Sequence, residues 1–165
     1  MTSAEVIQDA FGRVRGVVHN AVEGLSPEEL AMRPGGVGNS IAWLVWHLSR
    51  VQDDHVAAIA GTDQVWTSKG WSQRFGLPFD VEDTGYGHGS GEVAAVTSDA
   101  ATLVGYHDAV CDATLQFLEH LVDADLDRVV DDNWDPPVTM GVRLVSVIDD
   151  DLEHAGQAAY ARGIL

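Results

Sequence analysis

His47 lies in one apolar-patterned segment, and far downstream the chain offers Asp150 and His154, four positions apart, in another. On a helix, side chains at i and i+4 stand one turn apart, with Cβ atoms about 5–6 Å from each other. Such a pair can converge on one small cation, and a histidine from a facing helix can supply a third ligand. Two imidazoles and one carboxylate leave coordination positions open for water or substrate, as a reactive divalent-metal site requires. Spacing alone also admits a plainer reading, in which Asp150 and His154 form a buried ion pair or a solvated edge. In that reading His47 is an ordinary core histidine.

Convergence needs helices that turn those residues toward one another, and the sequence supplies four. Apolar positions recur at helical spacing over residues 4–23, where Val6, Ala10, Val14, Val17 and Val18 share a stripe. Ser26-Pro27 then opens a short helical turn, with Ser as N-cap and Pro in the first position. A second long helix is expected from Asn39 or Ser40 to Ala60, stopped by Gly61, with Ile41, Leu44, Leu48 and Val51 recurring every three or four residues. The third is expected over residues 92–121 and the fourth over 139–162, with Gly163 at its end. No convincing alternating strand and no internal repeat interrupts them. The expectation is an all-α four-helix bundle occupying residues 1–165 as one domain. Between the second and third helices, residues 62–91 form a long aromatic-containing loop with the glycine-rich run Gly85-Tyr86-Gly87-His88-Gly89. Loops of that length in a compact domain are often functional.

On the fourth helix, Val147, Asp150, His154 and Ala158 are read as one inward stripe. A carboxylate there costs several kcal/mol unless paired or metal-bound. Asp149 and Asp151 fall about 100° to either side and are expected to reach water more easily.

The formal charge of −17 is the strongest compositional bias. Such a surface repels phosphate backbones and anionic lipid, which disfavours both, so neither nucleic acid nor a membrane is expected as a partner. No run approaches the roughly 20 apolar residues of a membrane span, and the first residues lack a signal peptide's basic start, so the expected location is cytoplasmic. The lone cysteine, Cys111, can form neither an intramolecular disulfide nor a cysteine cluster, and it falls on an apolar stripe as an inert core thiol.

Two stretches carry a family resemblance: Ser40-Ile41-Ala42-Trp43-Leu44-Val45-Trp46-His47-Leu48, and Asp150 with Glu153-His154, Gly156-Gln157 and Arg162-Gly163. They resemble the two hallmark segments of the DinB/YfiT-like superfamily, and Gly24-Leu25-Ser26-Pro27-Glu28-Glu29-Leu30 is similar to that family's exit from its first helix. The resemblance implies a four-helix bundle holding a divalent metal, Zn²⁺ or Ni²⁺, on His47, Asp150 and His154. Most members resemble a three-histidine pattern, so Asp150 is a departure; the mycothiol-dependent maleylpyruvate isomerase branch has Glu there, one methylene longer. The implied activity is S-transfer or isomerisation dependent on a small thiol such as mycothiol or bacillithiol, acting on small electrophiles. A homodimer is the partner arrangement the family suggests. Two further readings stand beside it: a hydrolase using metal-bound hydroxide, and a metal-binding stress protein without turnover.

Other residues take supporting parts. His88, in the glycine-rich loop, and Arg143, two turns before Asp150, are the candidates for contact with substrate. His55 is placed at the site entrance or on the surface. His107 is the rival ligand, Gln157 a hydrogen-bonding partner behind the site, and Trp43 and Trp46 bundle packing.

Overall fold

The structure, a computed structural model, describes residues Met1–Leu165. Its frame is four long helices: α1 (Ser3–Val22), α3 (Ile41–Ala60), α7 (Ala100–Leu118) and α8 (Met140–Gly163). Short helices join them: α2 (Pro27–Ala31), α4 (Val65–Ser68), α5 (Trp71–Phe75) and α6 (Ser90–Ala95). The expected all-α bundle is present.

Local chemistry accounts for where the helices begin. Thr2 and Ser26 each form a reciprocal cap with Glu5 and Glu29, satisfying two otherwise orphaned donors at the starts of α1 and α2. Ser40 and Thr139 accept from Trp43 N and Val142 N at the starts of α3 and α8. The left-handed Gly61 closes α3.

α3 is the central element, packing on both α8 and α7, while α1 lies against α8 and α7. Every residue from Ile41 to Arg50 is buried. The single stripe expected of this helix is therefore only part of its contact surface. Its polar side chains must find partners inside the fold, and Gln52 donates to Thr114 Oγ1 across the α3–α7 contact at 2.8 Å.

Three expectations need correction. The third helix is broken: α6 ends at Ala95, and α7 restarts where Asp99 caps Thr102 N at 2.7 Å. A side-chain oxygen at that position competes for the backbone and makes a fresh N-cap. The stretch before α8, expected to be irregular, contains a small antiparallel hairpin of β1 (Val129–Asp131) and β2 (Val138–Thr139). Asp151, expected to reach water, is fully buried with neither carboxylate oxygen hydrogen-bonded. The buried stripe of α8 runs Leu144, Val147, Asp151, Ala155, Ala158, so Asp150 sits on its flank and Asp151 at its centre. Burial, then the charge of Asp150, pushes the Asp151 carboxyl well above the usual carboxylate range, and it is protonated in the core. No helix is long and apolar enough to cross a membrane.

Candidate metal centre

The contact between α3 and α8 brings the three candidate ligands together. One ligand-type atom from each of His47, Asp150 and His154 lies within 4.8 Å of the other two. The imidazole rings of His47 and His154 meet edge-on with centroids 4.8 Å apart, and His154 Nε2 faces Asp150 Oδ1 at 3.6 Å. Asp150 Oδ2 is buried and without a partner. An unpaired buried carboxylate oxygen is costly, and a cation is the partner that this donor set fits. Tetrahedral donors about 2.1 Å from a zinc-sized ion stand about 3.4 Å apart. Closing from 4.8 Å asks only for small rotations of the three side chains.

The tautomers point the same way. His47 Nδ1–H donates to the Thr84 carbonyl, and His154 Nδ1–H donates to Gln157 Oε1 at 3.0 Å. Each ring is thereby oriented with its Nε2 lone pair free, which is how metal-bound histidines are usually held. Burial, the largest influence, lowers the His47 pKa below its ordinary value. The ring is neutral and able to ligate at neutral pH.

Thr84 reaches His47 because α3 itself anchors the 62–91 segment. Asp53 accepts from Val65 N and Trp66 N at 2.8 and 2.7 Å, and Tyr106 OH donates to it at 2.8 Å. Arg50, fully buried, donates to the Asp83 carbonyl at 3.1 Å and to Gln64 at 2.8 Å. Gly85 then passes so close that a Cβ would stand 2.8 Å from His47 Nδ1 and 2.9 Å from Trp46, at a φ of 93°. Only glycine allows that approach without displacement.

The site's walls depart from expectation. Trp43, expected only to pack the bundle, stacks on His47 at 4.5 Å and meets His154 edge-on at 6.1 Å. His88 is occupied at both nitrogens: Trp43 Nε1–H donates to its Nδ1 at 3.1 Å, and its Nε2–H donates to Asp83 at 3.0 Å. It fastens the loop and has no nitrogen to offer substrate. Arg143 pairs with Asp131 at 2.9 Å, at the hairpin and away from the ligand cluster.

His107 is not in the ligand set. It is buried between Ser49 Oγ at 3.0 Å and Cys111 Sγ at 3.4 Å, and burial lowers its pKa to about 4. Burial likewise pushes the Cys111 thiol up to about 12, which removes it as a nucleophile.

Over the ligands opens a cleft of about 420 Å³ lined by His47, Val51, Asp54, His55, Tyr86 and Asp150, among others. His55 does stand at the entrance. Tyr86, carried between the left-handed Gly85 and Gly87, is almost wholly exposed at the rim. Sequence reasoning missed Thr84, Gly85 and Tyr86. The Gly-Tyr-Gly run was the available signal, since flanking glycines present a side chain at a tight turn. A groove of similar volume on the other flank of α3, beside Lys69 and His120, contains no ligand cluster.

Residues 6–165 match the family model described as mycothiol-S-transferase. Among solved structures, a conserved protein from Enterococcus faecalis is 32% identical, superposes with a TM-score of 0.90, and is matched over 98% of this chain and 96% of its own. No curated protein matches.

Proposed function

Since the chain belongs to the mycothiol-S-transferase family, within the DinB/YfiT-like superfamily, we propose that it transfers a mycothiol-type thiol to small electrophiles at a divalent metal held by His47, Asp150 and His154. The observation that carries the metal reading is the matched pair of imidazoles. Both Nδ1 atoms are tied to carbonyl oxygens, and both Nε2 atoms are left for a shared ligand beside an unpaired carboxylate oxygen. A cation held by these residues would supply a lowered pKa for a bound thiol, favouring its thiolate at neutral pH.

The chain's own residues do the rest. Thr84 and Gln157 hold the ring planes, and Trp43 covers one face of His47 and so keeps water from that side. The Asp150 carboxylate would hold the cation from the α8 side, opposite His47. The nucleophile must come from outside, because Cys111 is buried and protonated. In the net reaction the thiol sulfur bonds to the electrophile, the leaving group departs with its electron pair, and the thiol proton passes to water. His55, whose pKa burial lowers, lines the cleft as a neutral base able to relay that proton.

Elemental analysis of untagged protein, beside His47→Ala and His154→Ala, tests the site, and mycothiol-dependent consumption of monobromobimane tests the activity. The expected result is about one metal per chain, lost in both variants, with bimane consumed only when thiol is present. Protein that refuses added Zn²⁺ and Ni²⁺ would end the proposal. Consumption that ignores the thiol would replace it with metal-dependent hydrolysis.

A further inference from the structure

Tyr86 is the most exposed aromatic ring in the protein, at 93%, and it stands at the rim of the cleft over His47 and Asp150. At that exposure the ring packs against almost nothing. The fold gives no reason for an aromatic there. Gly85 to His88 form a tight turn, closed where His88 N–H donates to the Gly85 carbonyl at 3.2 Å, with Gly87 at a φ of 78° in its third position. That glycine meets the left-handed requirement of a type II turn, whose second position is commonly proline and makes no demand for a ring. The turn's backbone is nonetheless fixed. Gly85 N–H donates to Asp83 Oδ1 at 2.7 Å, both ring nitrogens of His88 are bonded, and the Asp83 carbonyl accepts from Arg50 at 3.1 Å. A rigid turn thus carries a large ring with two free torsions, which a ligand can capture at little cost in conformational entropy.

The lining of the cleft shows what such a ring can serve. Around His47 and Asp150 it is polar, with Asp54, His55 and Ser146, and its only hydrophobic side chains are Val51 and Tyr86. A compact electrophile lies among the polar groups and leaves both apolar surfaces wet. A planar, unsaturated one extends to the rim, where Tyr86 can turn about its Cα–Cβ bond and lay its face on the bound ring. Aromatic faces attract in offset stacks with centroids about 4.5–7 Å apart, and the area they cover leaves water. The other exposed aromatic rings, Trp134 and Tyr160, do not line this cleft.

We infer that Tyr86 determines specificity for the electrophile, closing over a planar, aromatic body while the reacting carbon faces His47 and Asp150. The inference rests on the thiol-transfer reading above, and a pair of electrophiles separates the ring from the reaction. Monobromobimane has a planar bicyclic body, and iodoacetamide has none. Both react alike: the thiol sulfur bonds to the carbon, the halide leaves with its electron pair, and the thiol proton passes to water. The readout is the ratio of their kcat/KM values with mycothiol, after subtraction of the uncatalysed rate. Tyr86→Ala should lower the bimane-to-iodoacetamide ratio by about three- to tenfold, while Tyr86→Phe and Tyr160→Ala should keep it within about twofold of wild type.

A second readout needs no turnover. Halogen-free dimethylbimane, titrated into the protein with no thiol present and followed by its fluorescence, should bind Tyr86→Ala about three- to tenfold more weakly than wild type or Tyr86→Phe. Either a ratio or a dimethylbimane affinity unmoved by Tyr86→Ala would overturn the inference and leave thiol transfer standing. So would an equal loss in Tyr86→Phe, which would assign the effect to the hydroxyl and not to the ring. Wild-type protein that consumes neither electrophile would overturn the transfer reading, and Tyr86-dependent binding of dimethylbimane would then still uphold the contact.

Discussion

Gly85 gives a direct test of whether the loop orients His47, the proposed metal ligand, or merely covers it. An alanine there would place its Cβ 2.8 Å from His47 Nδ1 and 2.9 Å from Trp46, closer than real carbon contacts come. The position also has a φ of 93°, which an L side chain adopts at a cost of about 1–2 kcal/mol. Two residues on, Gly87 has a similar φ of 78° but open space around it. Gly87→Ala therefore carries the backbone strain without the contact. The difference between the two variants isolates the effect on His47.

Both variants should unfold more easily, each by about 1–2 kcal/mol from strain. Gly85→Ala adds a further loss, because the loop must back away and the His47–Thr84 hydrogen bond lengthens. Disturbing the partner that orients a metal-bound histidine typically costs 10–100-fold in metal affinity, or about 1.4–2.7 kcal/mol. Competition titration of Zn²⁺ against a chelator, run beside urea unfolding of the metal-free proteins, measures the two quantities separately. The expected result is a drop of at least about tenfold for Gly85→Ala and less than about twofold for Gly87→Ala. Equal metal affinities in the two variants, with Gly85→Ala still folded, would refute the claim that Thr84 and Gly85 set the His47 ring.

Other expectations follow from buried groups. His107 has a folded pKa of about 4 against about 6.5 unfolded; the unfolded chain binds the extra proton between those values, so stability falls as pH drops through that window. The loss approaches about 3 kcal/mol near pH 4, and urea titrations of wild type and His107→Gln should show it in the first and not in the second. Asp151 has the opposite sign: its raised folded pKa makes stability greatest below about pH 3.9 and progressively smaller as pH rises above it. Asp151→Asn should therefore raise the melting temperature of the metal-free protein at pH 7, and a lower one would show that the carboxylate has an ionised role. Cys111 should resist Ellman's reagent in the native state, reacting at the rate of global unfolding measured separately. Gln157→Ala should weaken Zn²⁺ binding by about tenfold through the freed His154 ring, without changing the far-UV circular dichroism.

The clustering of His47, Asp150 and His154 was legible because its signal is chemical and local: two imidazoles and a carboxylate at helical spacing on strongly patterned segments. The long helices α1, α3 and α8 were legible from caps and period. What the sequence concealed was the work of the polar residues on α3. Arg50 and Asp53 fall outside the apolar stripe read for α3, yet both are buried and tie the 62–91 segment by its backbone. Their partners in the loop backbone are carbonyl and amide groups, which every residue possesses, so no residue type marks those in advance. For the same reason Thr84 was invisible as the orienting group of His47. The hairpin escaped notice because a strand of three residues and one of two are too short for alternation to register.

The run Asp149-Asp150-Asp151 shows where periodicity loses its power. Successive residues on an α-helix are about 100° apart, and an inward face is itself about 100° wide. Counting from Val147, both the third and the fourth residue on lie near that face, so Asp150 and Asp151 were equally eligible for the core. Packing chose Asp151, at the centre of the stripe with Leu144, Val147 and Ala155, and left Asp150 on the edge facing α3 and His47. The edge is the better place for a ligand. There a carboxylate lines the cleft with one oxygen unpartnered and can meet an incoming cation. At the centre the same group is held protonated by burial. Asp149, on the far side, is exposed. Three identical side chains thus differ in surroundings through a rotation of about 100° each. Moving the ligand by one position, with Asp150→Ala retained and Asp151 intact, should therefore fail to restore Zn²⁺ binding, since Asp151 has the right chemistry on the wrong face.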